Sequence, residues 1–353
     1  MALGGSAAVG LDIGASAVRV AQVSAGRGGA SLLSFAQVAL PHGAVVDGEI
    51  QDPGPVSEAI AQLWKRAKIK GKKAVMGVSN QRVVVRQVDL PYLEEKEFRT
   101  SLRFQAADYI PMSVEDAQLD FIVIDDYMTE SQEHMMRVLL IAAATDMVDK
   151  FVTTAAAGGV DPLGIDLTPF AIARAVSPSA RGETGVAGSE AIVDVGAATT
   201  NILIHHNGEP RFVRILLVGG DDATKALSEE LSIPFEEAEA MKLDLTRGVG
   251  SDQSRALLDR QVSSLVDEIR GSLDYYLSQE DSEPVSSILL TGGGSLTSGL
   301  TERLEQTLKT AVQVGAPLAQ LNVSRSGLAE DQVAQVEPVA AAAVGLALGA
   351  LQR

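Results

Sequence analysis

The sequence lacks cysteine altogether and holds only four histidines among its 353 residues. Without cysteine the chain has no disulfide, no thiol nucleophile and no cysteine-ligated zinc or iron–sulfur site. Two of the histidines, His205 and His206, are adjacent and precede the turn dipeptide Asn207-Gly208. We therefore expect both at the tip of a β-hairpin and assign them no chemistry.

Basic residues are also scarce. The sequence has 29 lysines and arginines against 46 aspartates and glutamates, which gives a formal net charge of −17 at pH 7. A surface of this sign repels the phosphates of nucleic acids and anionic lipid headgroups. We therefore expect no nucleic-acid partner.

The sequence also predicts neither a targeting segment nor a membrane-spanning segment. No basic region precedes a sustained apolar run at the N-terminus, because Asp12 and Gly14 interrupt the first apolar stretch, so no signal peptide is predicted. The alanine-rich run 339–351 is too short to cross a bilayer and is predicted to be a buried core helix. We expect a cytoplasmic protein without direct membrane insertion.

What is present is an internal repeat. The segment around Asp12, in Gly10-Leu-Asp-Ile-Gly14, is echoed around Asp194, in Val193-Asp-Val-Gly196, at a separation of 194 − 12 = 182 residues, about half the chain. A chain of this length holds about two domains. Each copy starts as an apolar strand, turns at a glycine and resumes alternation, which predicts two related lobes that each contain a hairpin with an aspartate at its bend.

The repeated Asp-x-Gly bend suits phosphate binding. Glycine permits close backbone approach, neighbouring N–H groups can face a phosphate, and the carboxylates can hold Mg²⁺ through water. A single copy is more often an ordinary hairpin turn, but the repetition at half-chain separation favours a two-sided phosphate clamp.

The segment between the repeats has its own pattern. It predicts a strand stopped by Leu90-Pro91, a helix whose first turn is rich in glutamate, two strands joined by a polar turn, and a further helix. The predicted bounds are 83–88 for the first strand, about 94–110 for the helix ended by Pro111, 119–124 and 136–141 for the strands, 125–134 for the turn and 146–157 for the last helix. This block is predicted to be a small inserted subdomain, and 177–189 an exposed connection.

The second half of the sequence predicts further helices and a strand. Helices are predicted at 221–231, 235–243, 262–277 and 300–308, and a buried strand at 287–291 runs into Gly292-Gly293-Gly294. The three glycines could let the backbone pass beneath an adenine or ribose, or simply form a tight turn. Glu239 and Lys242 lie one helical turn apart and could reach a nucleotide or form a solvated ion pair. Asp166, before a predicted helix, is either an N-cap or a base that orients water.

Together these motifs resemble those of the actin-like ATPases and, within them, the PilM family of type IV pilus assembly proteins, relatives of the division protein FtsA. The matching stretches occur in family order: the first phosphate loop, the first connecting segment, the second phosphate loop, the adenosine motif and the last helix. They are 10–14, 164–171, 193–200, 290–294 and 338–351. The inserted block, with Leu90-Pro91 and Pro111, points to PilM among these families.

The resemblance implies an α/β, two-lobed actin-like ATPase fold of two RNase-H-like domains, with an FtsA-type inserted subdomain in lobe one. The implied division is 1–88 for the first half of lobe one, 89–160 for the insertion, 161–185 for lobe one continued, 186–336 for lobe two with a helical subdomain at about 219–284, and 337–353 for a C-terminal helix that returns to lobe one.

By carry-over, the resemblance implies that ATP and Mg²⁺ bind between the lobes. Asp12 and Asp194 would hold the metal, and Asp166 would stand where relatives place a Glu or Gln that orients water. The remaining implied nucleotide-binding residues are Gly14, Ala15, Ser16, Gly196, Ala197, Thr199, Thr200, Glu239, Lys242, Gly292, Gly293 and Gly294. Ala15 replaces the usual hydroxyl residue and Asp166 is a methylene shorter than Glu, so binding is better supported than hydrolysis.

The implied partner is the N-terminal cytoplasmic tail of a PilN-like inner-membrane protein, seated between lobe one and the inserted block; other pilus-assembly proteins are a further partner class. Such partners would recruit the protein to the inner face of the cytoplasmic membrane. Two alternatives remain open: a small-molecule kinase of the same fold, for which we find no separate substrate motif, and an FtsA-like filament-forming ATPase.

Overall fold

The computed structural model describes residues 7–183, 188–279 and 282–352. Within them the strands are β1 Ala7–Ile13, β2 Ala17–Gly26, β3 Gly29–Ala39, β4 Val45–Val46, β5 Glu49–Ile50, β6 Lys73–Val78, β7 Val83–Pro91, β8 Ala117–Met128, β9 His134–Ala144, β10 Asp161–Leu167, β11 Ser189–Val195, β12 Thr200–His206, β13 Glu209–Leu216, β14 Val285–Thr291 and β15 Ala311–Val314. The helices are α1 Pro53–Ala67, α2 Glu95–Ala106, α3 Thr145–Ala157, α4 Thr168–Val176, α5 Gly220–Leu231, α6 Phe235–Thr246, α7 Asp252–Leu277, α8 Leu300–Leu308, α9 Glu330–Val336 and α10 Ala341–Gln352.

Two five-stranded sheets with the same strand arrangement form the two lobes. Their orders are β3-β2-β1-β6-β10 and β13-β12-β11-β14-β15, with the first three strands of each antiparallel and the last two added in parallel. The two predicted hairpins are β1–β2 and β11–β12. In both, the aspartate lies next to the last residue of the first strand, so the sequence repeat is a repeat of structure.

Each lobe buries its own apolar core, and a third core joins them. Lobe one packs α1 and α3 on its sheet, and lobe two packs α5 to α8 on the other. Between the two sheets, α10 lies against β1 and α4. The helix can approach so closely because a Cβ on Gly10 would lie 2.1 Å from the carbonyl oxygen of Ala343, and one on Gly345 would lie 1.7 Å from that of Ala171.

The alanine-rich run therefore forms a core helix, as predicted, because its small side chains allow backbones to approach. Its residues from Ala341 to Ala347 are buried apart from Ala342. Among the described residues no single helix is long and apolar enough to cross a bilayer. The pair Glu330–Val339 and Ala341–Gln352, bent by 85°, meets the length and composition criteria only when its two parts are taken together.

The block between the repeats is a three-stranded antiparallel sheet, β7-β9-β8, with α2 on one face. Phe98 on α2 packs edge-on against Phe121 of β8, with ring centroids 4.6 Å apart. The order strand, helix, strand, strand, helix is confirmed. The predicted polar turn at 125–134 is too long, because β8 continues to Met128 and β9 begins at His134. Pairing between the two strands keeps these polar residues in strand conformation although their composition is typical of a loop.

Other element bounds also differ. Pro91 is the last residue of β7 rather than its stop, which is compatible with an edge strand that does not need every N–H. α2 ends at Ala106, before Pro111, and α7 begins at Asp252, where the Ser251 side chain accepts a hydrogen bond from the N–H of Ser254 at 3.1 Å. The connection predicted to be exposed at 177–189 is buried at both ends, at Ser177, Ser179 and Ser189; its residues 184–187 lie outside the described part.

Candidate functional site

A cleft with a volume of about 1130 Å³ lies between the two hairpins. It is lined by both lobes. Every residue predicted to bind nucleotide lines it except Thr200: Asp12, Gly14, Ala15, Ser16, Asp194, Gly196, Ala197, Thr199, Glu239, Lys242, Gly292, Gly293 and Gly294. The fold thus brings together residues from four separate parts of the chain.

Glycines at the lobe-two wall of the cleft stand where no side chain fits. A Cβ on Gly219 would lie 2.4 Å from the carbonyl oxygen of Ala197, and one on Gly292 would lie 2.3 Å from that of Val195. Gly292 also has φ of 88°, a conformation that other residues rarely adopt. The three-glycine segment therefore needs glycine at its first position for close backbone packing.

The N-terminus of α5 also points into this region. Gly220 and Asp221 line the cleft, and their N–H groups donate to the carbonyl oxygens of Gly196 at 2.9 Å and Ala197 at 2.8 Å. These bonds fix the second phosphate loop against the first turn of the helix. The partial positive charge of the helix start is offset by the carboxylates of Asp221 and Asp222 in its first turn.

Two partly buried aspartates line the cleft from opposite lobes. Burial raises the pKa of Asp12, and the nearby positive charge of Arg19 opposes that change. Burial also raises the pKa of Asp194 to about 6; the hydrogen bond from Asn201 opposes this, and the negative charge of Asp12 adds to it. The charge of Asp12 therefore adds to the cost of ionising Asp194, which a bound cation would relieve.

No cluster of three or more His, Cys, Asp or Glu side chains suited to a metal occurs within the described residues. The pair Asp12 and Asp194 thus offers only two carboxylates. Mg²⁺ is commonly held in this way, by one or two carboxylates with water and substrate phosphates completing the shell.

Sequence analysis missed two residues that complete this centre. Arg19 on β2 is the register partner of Asp12, and Asn201 on β12 is the register partner of Asp194. The Nη1 of Arg19 lies 3.5 Å from Oδ2 of Asp12, and Nδ2 of Asn201 donates to Oδ2 of Asp194 at 3.0 Å. The equal spacing in the two repeats could have predicted this pairing, because each residue lies seven positions after its aspartate.

Arg19 lines the cleft, and its Nε is buried without a hydrogen-bond partner. Its guanidinium also lies 3.2 Å from where a Cβ on Gly14 would be, at the first phosphate loop. A buried N–H without an acceptor is unfavourable, so this arginine is held beside the loop at a cost in stability. Asn201, for its part, accepts from the hydroxyl of Ser79 and so links the two lobes.

Glu239 and Lys242 form a partly buried group rather than a solvated ion pair. Nζ of Lys242 lies 2.7 Å from Oε2 of Glu239, and it donates to the hydroxyl of Thr224 at 2.8 Å and the carbonyl of Gly220 at 2.9 Å. These contacts join α6 to the start of α5. The side chains are held at the cleft wall in a fixed arrangement.

Asp166 does not line the cleft, contrary to the prediction. Its carboxylate accepts a hydrogen bond from the N–H of Leu167 at 2.8 Å and pairs with Arg174. The N-cap position of α4 is Leu167, so the capping alternative is also wrong. Asp166 instead lines a second cavity, whereas Thr168, the first residue of α4, lines the cleft.

Thr200 was predicted to line the phosphates but does not face the cleft. It is fully buried, and its hydroxyl donates to the carbonyl oxygen of Val218 at 2.7 Å.

His205 does not lie at the hairpin tip, contrary to the prediction. It is fully buried in β12, and the tip is Asn207-Gly208 alone. Its Nδ1 accepts from the N–H of Gly208 at 3.1 Å, which places the proton of the neutral ring on Nε2, 3.1 Å from Glu190. Burial raises the pKa of Glu190, but the hydrogen bonds from His205 and Ser177 outweigh it and lower the pKa overall.

The second cavity, which we call the groove, has a volume of about 590 Å³ and lies between the inserted sheet, lobe one and lobe two. Its walls are mainly apolar, with Ile141 from β9, Val152 from α3, Phe170 from α4 and Leu203 from β12 among them. The groove and the cleft share a thin wall: Gly77 and Ser79 line the cleft, whereas Val78 between them lines the groove.

Two sheets of the same order around a cleft with paired aspartates define an actin-like ATPase fold. The sequence model of the type IV pilus assembly protein PilM matches residues 10–351. The chain belongs to the PilM family, an FtsA-related family of actin-like ATPases.

Comparison with solved structures supports this family and this fold. The chain is similar to a PilM-PilN type IV pilus biogenesis complex, with 26% identity, a TM-score of 0.86 and coverage of 98% of this chain and 99% of that one. It also shares the fold of MreB5 of Spiroplasma citri bound to ADP, with 13% identity, a TM-score of 0.51 and coverage of 88% and 92%.

Among curated proteins, FtsA of Neisseria meningitidis serogroup B is 28% identical over 204 residues, a match that covers 51% of this chain and 48% of that protein. FtsA of Bacillus subtilis is 21% identical over 349 residues, covering 88% and 78%. The chain thus spans about half the length of the Neisseria relative.

Proposed function

We propose that this protein is an ATP-binding cytoplasmic scaffold of type IV pilus assembly that holds the N-terminal tail of a PilN-like inner-membrane protein. The observation that carries the proposal is the pair of adjoining cavities. One is a polar cleft with two aspartates and a helix N-terminus, and the other is an apolar groove bounded by the inserted sheet. A nucleotide and a peptide would occupy them respectively.

The cleft suits a nucleoside triphosphate. The phosphate loops around Gly14 and Gly196, together with the guanidinium of Arg19, would face the phosphates. Gly292 to Gly294 would lie beneath the adenosine, with Glu239 and Lys242 beside it. Asp12 and Asp194 would hold Mg²⁺ through water; the ion, when bound, would neutralise charge on the phosphates and on the carboxylate pair.

Binding is better supported than turnover. Asp166 lies outside the cleft and its charge is balanced by Arg174, so it is not placed to orient a water at the phosphates. Thr168 reaches the cleft from the same segment, but a hydroxyl is a weak base at neutral pH. We expect a nucleotide-dependent scaffold whose hydrolysis is very slow or absent.

The groove suits a short peptide. Its walls are mainly apolar and it opens between lobe one and the inserted sheet, where the sequence resemblance places the partner. The similar solved structure is a complex of PilM with PilN. A partner anchored in the inner membrane would bring this protein to the inner membrane face.

Calorimetric titration tests both halves. Purified protein is titrated with Mg-ATP and, separately, with a synthetic peptide of the N-terminal cytoplasmic segment of PilN from the same organism. Asp194→Asn removes a cleft carboxylate, and Asp267→Asn, in an exposed ion pair on α7, is the matched control. We expect ATP binding to be lost only in Asp194→Asn, with peptide binding retained in both.

Other results would redirect the assignment. ATP binding without peptide binding, together with pelleting of the protein in ATP, would favour a filament-forming ATPase. ATP-dependent phosphorylation of a small molecule would favour a kinase. Absence of nucleotide binding would contradict the cleft assignment.

A further inference from the structure

One strand of lobe one presents its edge to the groove. β10 is the last strand of the five-stranded sheet and, among the described strands, pairs only with β6. Ile165, Asp166 and Leu167 all line the groove although they are consecutive. Because alternate strand residues point to opposite faces, a cavity that touches three in succession faces the edge of the strand.

This edge is regular where it meets the groove. The pairing of β10 with β6 shifts between Pro162 and Gly164 and then runs without interruption from Gly164 to Leu167. No backbone group of another element within the described residues bonds to this stretch. Edge strands in general offer unpaired N–H and C=O groups to an added chain.

The one charged residue of this edge is neutralised by a partner. Asp166 pairs with Arg174 and accepts from the N–H of Leu167, so its carboxylate is occupied and that N–H is already bonded. Proteins commonly block an exposed edge with charges or bulges. From Gly164 to Leu167, β10 has no bulge and no unpaired charge.

The other strand edge at the groove differs. β8 also ends its sheet, and Gln118, Leu119 and Asp120 line the groove. However, Gln118 and Asp120 are exposed, and Asp120 pairs with Arg99 at the surface, whereas the Asp166–Arg174 pair is largely buried. β8 thus presents exposed polar side chains beside its edge, which discourage strand addition.

We propose that the peptide in the groove adds as a strand to the outer edge of β10 along Gly164 to Leu167. The inference rests on the proposed function, because it takes the PilN-like tail as occupant. Affinity then comes partly from main-chain hydrogen bonds, and specificity from apolar side chains at every second peptide position. The partner is an extended segment with period-two apolar residues, flanked by basic residues that complement a chain of net charge −17.

A backbone N-methyl scan of the synthetic PilN peptide tests this with full-length protein. In an added strand, every second N–H points at β10 and the intervening ones point away. Methylation at the first set removes a hydrogen bond and introduces a clash, so we expect Kd to rise tenfold or more. The intervening positions are the matched control and should change Kd less than threefold.

Amide hydrogen exchange of the complex identifies the edge. We expect exchange to slow at residues 164–167 on peptide binding and to stay unchanged at 118–120 of β8. Peptide binding with no period of two in the scan, or with protection at β8 instead, would overturn strand addition at β10 and leave the proposed function standing. Absence of peptide binding would overturn both.

Discussion

Replacement of Asp194 by asparagine should stabilise the protein while it abolishes Mg-nucleotide binding. The pKa of Asp194 is raised to about 6 from an ordinary 3.8, chiefly by burial in the cleft. A carboxyl with a raised folded-state pKa incurs no cost below the unfolded pKa, and the cost grows as the pH rises and is nearly complete above about 6. At pH 7.5 linkage gives about 3 kcal/mol, and at pH 5.5 about 2 kcal/mol.

Asparagine removes this charge with almost no change of shape, and its side-chain oxygen can still accept from Nδ2 of Asn201. Because the carboxylate is partly accessible to water in the cleft, these energies are upper limits. Urea unfolding of the wild type, Asp194→Asn and Asp267→Asn at pH 5.5 and 7.5 measures them, since m-values common to the three make midpoints comparable. We expect Asp194→Asn to gain stability, with the larger gain at pH 7.5.

A loss of stability in Asp194→Asn at both pH values would refute the reasoning, because it would mean that the ionised carboxylate is stabilised in the folded state. Equal gains at both pH values would refute the assigned pKa. In either case the calorimetric loss of Mg-ATP binding remains a separate test of the metal role.

Three further outcomes are expected. Gly292→Ala should lose nucleotide binding and unfold at lower temperature than Gly299→Ala, since both glycines have positive φ but only Gly292 would place a Cβ against backbone; equal melting points would contradict this. Lys242→Met should weaken ATP binding about tenfold in a filter or calorimetric assay, because it removes the ammonium group of Lys242 from the cleft wall. An unchanged affinity would mean that the adenine of ATP does not lie beside Lys242. His205→Ala should cost about 3 kcal/mol in urea unfolding, because the buried carboxylate of Glu190 loses a donor; a cost under about 1 kcal/mol would show that Ser177 and water suffice.

Much of the fold was predictable because its signals are local. The two Asp-x-Gly bends, the strand that runs into Gly292 and the helix at 300–308 each depend on residues close together in sequence. The repeat at half-chain separation carried the two-lobed architecture, and the structure confirms it through two sheets of the same order. The alanine-rich run was identified as a core helix for the same reason: its composition fits close packing.

Pairing across strands was harder to predict. The polar residues at 125–128 look like a turn, but they lie in β8 because β9 supplies hydrogen-bond partners. His205 precedes a turn dipeptide, yet it is buried because Glu190 on the neighbouring strand and Ser177 after α4 satisfy it. These partners are distant in sequence, so no local pattern reveals them.

The sequence by itself determined the two-lobed class and most of the residues around the cleft, because phosphate loops are built from short backbone motifs. Only the tertiary structure decided the direction of single side chains. It turned Asp166 away from the cleft toward Arg174, brought Arg19 opposite Asp12 and opened the edge of β10 to the groove. Strand register and lobe packing set these directions, and both depend on contacts between residues far apart in the chain.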